Sequence, residues 1–107
     1  MRWYEPLRRR AEIAFVRRRG RASSLPTLTA YLAGPGGPRP RFGVTVSSAV
    51  GKAVVRNLVR RRIRGALDQL APPAAPVRIL FVAKPAAAAA DYARLAADVA
   101  RALSSRP

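Results

Sequence analysis

Twenty-one Lys and Arg residues stand against five Asp and Glu, and this imbalance restricts what the chain can fold into more than any other feature. Few of the cations can find an internal acid. The rest must sit at the surface, where a net charge of +16 opposes a compact state through self-repulsion. Such a fold is expected to work against a polyanion, with nucleic acid first and an anionic membrane surface a distant second. Every cation except Lys52 and Lys84 is arginine, whose planar fork bonds phosphate bidentately and stacks on bases. A GC-rich genome accounts for the preference for arginine and for the alanine run at 86–90. It does not account for the net charge.

The rest of the composition bounds the architecture. With 107 residues, 50% of them apolar, the chain is expected to form one domain, residues 1–107, around one small core. It has no Cys and no His, so disulfides, thiolate metal sites and imidazole chemistry are excluded. No apolar run approaches the roughly 18 residues of a membrane helix. The basic N-terminus is not followed by the apolar stretch of a signal peptide. The expectation is a cytoplasmic protein that does not enter a membrane.

Periodicity then sets out the elements. Pro6 suits the first position of a helix, with Leu7, Ala11, Ala14 and Phe15 at helical spacing and Gly20 as its stop. Residues 25–32 alternate, Leu28, Ala30 and Leu32 against Thr27, Thr29 and Tyr31, as a half-buried strand does. Residues 34–38 read as a turn. Residues 41–47 alternate again, with Phe42, Val44 and Val46 on one side. A helix follows over 53–70 and ends at Pro72 and Pro73. Residues 77–82 are almost wholly apolar, as in a strand covered on both faces. A last helix is capped by Asp91, with Tyr92, Leu95, Ala96, Val99 and Leu103 as its apolar stripe. The order α-β-β-α-β-α gives an α/β (α+β) two-layer sandwich, a small sheet covered by helices, with a parallel βαβ connection across the 53–70 helix.

That helix carries the informative stretch, residues 51–64, which is basic and holds no acid. On a wheel of roughly 100° per residue, Val55, Val59, Ile63, Ala66, Leu67 and Leu70 share one arc of about 120°. Arg56, Asn57, Arg60, Arg61 and Arg64 occupy the neighbouring arc. The pairs Arg56/Arg60 and Arg60/Arg64 are like charges four residues apart and repel, and no acid within this stretch relieves them. A merely solvated face would mix its signs. Asn57 adds an amide that can reach a base edge or a 2′-hydroxyl. Arg62 projects near the apolar arc and has no evident place.

Gly51-Lys52-Ala53-Val54, followed after Val55 by Arg56-Asn57 and then by Arg60, Arg61 and Arg64, resembles the signature helix of the bacterial ribonuclease P protein family. The likeness extends along nearly the whole chain: the basic first helix, Tyr31, Phe42-Gly43-Val44-Thr45-Val46-Ser47, and the apolar strand ending in Lys84-Pro85. It implies the small protein partner of a catalytic RNA that removes the 5′ leader of precursor tRNA. The chemistry would lie in that RNA, with its bound Mg2+, and no cofactor in the protein. The resemblance also implies a left-handed βαβ crossover and a protein that is monomeric within the ribonucleoprotein. It assigns Lys52, Arg56, Asn57, Arg60, Arg61 and Arg64 to ribonuclease P RNA. It places Ile13, Arg17 and Tyr31 in a cleft for the precursor tRNA leader, between the first helix and the sheet. Ile13 and Arg17 stand where the family usually has phenylalanines, so Arg17 would stack through its guanidinium plane. Leu58 and Arg62 exchange the usual basic and apolar positions. Ser48 and Ala49 replace a basic pair, and Ala83 replaces a common arginine beside Lys84.

No catalytic site and no metal site is expected in the chain itself. Its acids, Glu5, Glu12, Asp68, Asp91 and Asp98, are scattered, and a protein ribonuclease needs paired acid–base groups or metal-binding carboxylates. Gly51-Lys52 fails the phosphate-loop pattern, with Val46 and Ala53 where that motif needs Gly and Ser or Thr. A ribosomal or ribosome-associated RNA-binding protein is the alternative that shares charge and size. A helix-turn-helix protein is disfavoured, because the basic helix follows a strand.

Overall fold

The computed structural model describes residues 3–73 and 75–104. The sheet is ordered β1-β4-β5-β3-β2. Its strands are β1 (Glu5–Pro6), β2 (Arg21–Ser24), β3 (Leu28–Ala33), β4 (Arg41–Thr45) and β5 (Arg78–Ala83). The helices are α1 (Arg10–Arg19), α2 (Ala53–Asp68) and α3 (Tyr92–Ser104), with a short 3₁₀ turn at Pro85–Ala88. β4 and β5 are parallel neighbours joined through α2, and β3 pairs antiparallel with β5. The expected α/β sandwich is therefore present, with edge strands β1 and β2 added to the anticipated order.

Alternation decides the two faces of the sheet. Leu28, Ala30 and Leu32 of β3, Phe42 and Val44 of β4, and Ile79, Phe81 and Ala83 of β5 point to the layer of α2 and α3. Val59, Ile63, Ala66 and Leu67 of α2 meet them, with Val55 and Leu70 half-buried beside them. Fully burying a side chain such as Val59, Ile63 or Leu67 stabilises the fold by roughly 1.5–3 kcal/mol each. The opposite face carries Leu80 and Ala33, covered by Leu7 and by Val16 of α1. β5 is thus buried on both sides at its centre.

The N-terminal segment departs from expectation. Pro6 does not open a helix: it lies in β1, which pairs in parallel with β4. Glu5 N donates to Pro40 O at 2.8 Å and Leu7 N to Phe42 O at 2.9 Å. Proline has no N–H to offer and is tolerated on such an edge. α1 starts at Arg10, so Leu7 is buried ahead of the helix and not on it. Trp3 and Tyr4 pack inward; Tyr4 stacks on Phe42 at 5.2 Å between centroids, and Trp3 meets both rings edge-on at 5.3 and 5.2 Å. The Tyr4 hydroxyl donates to Asp68 Oδ1 at 3.0 Å.

Two glycines are required by the backbone. Gly20 ends α1 as expected, donating to Val16 O at 2.7 Å, and a Cβ there would lie 2.3 Å from that oxygen. Gly51, ahead of α2, has φ +156°, a conformation that side chains disfavour. β2 pairs antiparallel with β3, and the strand expected from residue 25 begins at Leu28 because residues 25–27 form the connecting turn, closed by Leu25 N to Leu28 O at 2.8 Å.

Candidate nucleic-acid interface

The acids come first, because they fix which cations stay available. Glu12 Oε2 accepts from Arg41 at 2.8 Å and from Arg78 at 3.2 Å. Glu5 lies 3.4 Å from Arg41 and 3.9 Å from Arg39. The hydrogen bond to Glu12, and then its charge, hold the Arg41 guanidinium above its ordinary pKa. Asp68 accepts from Tyr4. Asp91 caps α3, as expected, by accepting from Arg94 N at 2.8 Å. Asp98, buried in α3, accepts from Thr27 N at 2.9 Å and from the Thr27 hydroxyl. None of these contacts reaches the basic arc of α2. Among the described residues there is no group of three or more acids that could hold a metal ion, and no helix is long and apolar enough to cross a membrane.

The α2 face is built as its periodicity requires. Asn57, Arg61 and Arg64 are exposed, Arg56 and Arg60 half-buried, and Lys52 is exposed at the N-cap. No side chain caps that helix end, and its first turn holds no acid, so the positive end of the helix dipole adds to the side-chain charge. Arg60 Nη1 donates to Asn57 Oδ1 at 2.8 Å, which orients the guanidinium and leaves the Asn57 amide to donate outward. Arg56 Nε is buried with no hydrogen-bond partner among the described residues, so the stem of this arginine is desolvated and its terminal nitrogens carry what it presents.

Arg62 finds a structural place. It is half-buried and donates to Ala90 O at 3.2 Å, tying α2 to the segment before α3. Its departure from the basic face costs that face nothing. Arg62→Ala is expected to lower stability by roughly 1 kcal/mol and to leave RNA affinity unchanged, read by a thermal melt beside a binding titration. Lys84 is likewise structural, donating to Ser24 Oγ at 2.6 Å and Leu25 O at 2.7 Å.

On the other face of the sheet, Ile13, Arg17 and Tyr31 do come together. Ile13 and Tyr31 pack, half-buried, beside Val16 and Leu80, and the Arg17 guanidinium lies 5.8 Å from the Tyr31 ring centre. Thr45, Val82 and Thr29 stand in one cross-strand row beyond them. The result is an open floor with an aromatic and a guanidinium at its border. The structure also joins what the sequence did not connect. At the β1 edge, Arg8 and Arg64 line one cavity of about 200 Å3, with Tyr4, Leu7 and Phe42 in its walls. Arg8 thereby continues the α2 face toward α1. No spacing rule could have found it, since β1 itself was not foreseen.

The ribonuclease P family model matches residues 1–106. The ribonuclease P protein component of Streptomyces griseus is 43% identical over 107 residues, covering 91% of this chain and 87% of that protein. That of Thermus aquaticus is 53% identical over 66 residues, covering 62% of this chain. The chain spans only 40% of the length of the Thermus relative. The solved ribonuclease P protein of Staphylococcus aureus superposes with a TM-score of 0.83 at 19% identity, covering 92% of this chain and 91% of that one. A Thermotoga maritima ribonuclease P protein, solved with 1-(4-fluorophenyl)-2-thiourea, gives 0.81 at 18%, covering 94% and 99%. At such identities the two structures speak for the fold.

Proposed function

The chain belongs to the ribonuclease P protein family, and from that premise we propose that it is the protein subunit of a ribonuclease P ribonucleoprotein, assisting endonucleolytic removal of the 5′ leader from precursor tRNA. The observation that carries this reading is the arginine face of α2, whose first turn holds no acid and whose exposed cations Arg61 and Arg64 lie on one side of the helix. Arg56, Arg60, Arg61 and Arg64, with Lys52 and Asn57, bind the catalytic RNA. Their phosphate contacts supply affinity and a steep dependence on salt. The floor bordered by Ile13, Arg17 and Tyr31 holds the leader loosely, through stacking and backbone charge.

Among the described residues no acids are grouped to hold a metal ion, and the chain has no His to serve as a general base. A catalytic RNA with bound Mg2+ supplies the chemistry, and the protein binds and positions. It acts as one copy per ribonucleoprotein, in the cytoplasm where tRNA matures. The test is cleavage of a leader-bearing precursor tRNA by a bacterial ribonuclease P RNA at low Mg2+, with and without the protein. Correct 5′ maturation only with both present is the expected result. No stimulation of the RNA of its own genome, by a folded protein, would sink the reading and favour a ribosomal role.

A further inference from the structure

α1 has two flanks, and the family likeness accounts for only one. At roughly 100° per residue, Val16 points into the sheet, with Ile13 and Arg17 on one side of it and Phe15 and Arg19 on the other. Phe15 is 40% exposed, on the flank away from Tyr31. Its ring is held by the Arg78 guanidinium, 4.9 Å from the ring centre. Arg78 is itself fixed by Glu12 at 3.2 Å and by Gly34 O at 2.8 Å. Phe15, Arg19, Arg21, Pro35 and Arg78 line a groove of about 430 Å3 at this end of the sheet. That volume lies within the usual range of small-ligand sites, roughly 300–1,000 Å3. None of the lining residues is acidic.

We propose that this groove takes one unpaired nucleotide of RNA, its base on the Phe15 ring and its phosphate on Arg19. A π-face suits any base, and a neighbouring guanidinium suits the phosphate that follows it. Phe15 is pre-set for this by the pinned Arg78 beneath it, so stacking orders no loop. Charge complementarity selects nucleic acid over protein, since Arg19 adds a cation beside the aromatic ring and the nearby acid, Glu12, is held by Arg41 and Arg78. The nucleotide comes either from the precursor's leader or from the catalytic RNA. The inference rests on the chain's proposed work on RNA.

The test compares Phe15→Leu, Phe15→Trp and Arg19→Gln with the parent in two titrations. One uses the catalytic RNA alone; the other uses the assembled holoenzyme with precursors of longer and shorter leader. Phe15→Leu is expected to weaken one of them by roughly tenfold, Phe15→Trp to restore it, and Arg19→Gln to weaken the same one. A loss against the catalytic RNA assigns the nucleotide to it. A loss confined to the longer leader assigns it there. Arg60→Ala and Tyr31→Ala run alongside as controls for assembly and leader binding. A purely structural Phe15 would lower the melting temperature of Phe15→Leu and leave both titrations unmoved while the controls lose affinity, and that result overturns the proposal. Should Phe15→Leu not fold, unchanged binding by Arg19→Gln and Phe15→Trp overturns it equally. Controls that lose nothing would instead indict the assignment of RNA to the chain.

Discussion

Replacing Arg60, Arg61 and Arg64 together by alanine is expected to weaken binding to the catalytic RNA by on the order of a thousandfold or more. Each charge-assisted contact to a phosphate contributes about 1.5 kcal/mol or more, and three are removed together. The slope of log affinity against log salt should flatten by about two to three, at roughly 0.7–0.9 per phosphate contact. The fold should tolerate the change. Arg61 and Arg64 are exposed and Arg60 half-buried, none contributes to the core, and the like-charge pair Arg60/Arg64 is relieved. A melting temperature equal to the parent's or slightly higher is therefore part of the prediction. Filter binding across a salt series reads the first two quantities and calorimetry the third. An unchanged slope would mean that α2 does not face phosphate, whatever happened to the affinity. Raising Mg2+ should recover part of the lost cleavage, because added counter-charge substitutes for missing arginines between RNA segments.

How much of this was legible depends on how many forces acted on each element. α2 was read almost residue by residue, because Val55, Val59, Ile63, Ala66, Leu67 and Leu70 form one stripe and its single acid, Asp68, stands at its last position, bonded to Tyr4. Hydrophobic period and charge agreed, and neither had to yield. For α1 the sequence offers only the helical spacing of Leu7, Ala11, Ala14 and Phe15, and the structure turns inward a different side of the helix. Val16 is its only fully buried residue, while Glu12 is drawn in toward Arg41 and Arg78. An ion-pair network at the sheet end competed with the apolar pattern and set the rotation of the helix. Phe15 was thereby turned outward onto Arg78. β1 and β2 were missed because an edge strand buries little: Pro6, Arg21, Ala22 and Ser24 are exposed, so no alternation marks them. Their partners, β4 and β3, supply the order that their own side chains do not. The leader floor follows the same rule. Tyr31 was legible as an aromatic on an alternating strand, but its pairing with Arg17 needed the packing of α1 across β3.

Asp98→Ala is expected to be the most damaging of the acid substitutions, although sequence alone gave this residue no role. It sits in α3 between Leu95 and Val99 and is 3% exposed. A carboxylate is rarely buried so deeply without dedicated donors. Here both donors come from Thr27, itself 2% exposed: the backbone N–H at 2.9 Å and the hydroxyl. Thr27 O in turn accepts from Lys84 N at 2.9 Å, so this one residue joins α3, the β2–β3 turn and the end of β5. Alanine at 98 leaves the N–H and the hydroxyl of Thr27 without an acceptor in a site closed to water. Each orphaned group costs about 1–3 kcal/mol, and roughly 3 kcal/mol in total should lower the melting temperature by 10 °C or more. Thr27→Val removes the hydroxyl alone and should cost less. Combined with Asp98→Ala it should add little further, because the hydroxyl bond is already lost. Asp98→Ala melting close to the parent would show that α3 is held by its apolar stripe alone. The salt slope of RNA binding should stay at the parent value wherever the variant remains folded, since Asp98 faces the core and the arginines of α2 keep their places. The two variants therefore separate what holds the fold from what holds the RNA: one moves the melt and spares the slope, the other the reverse.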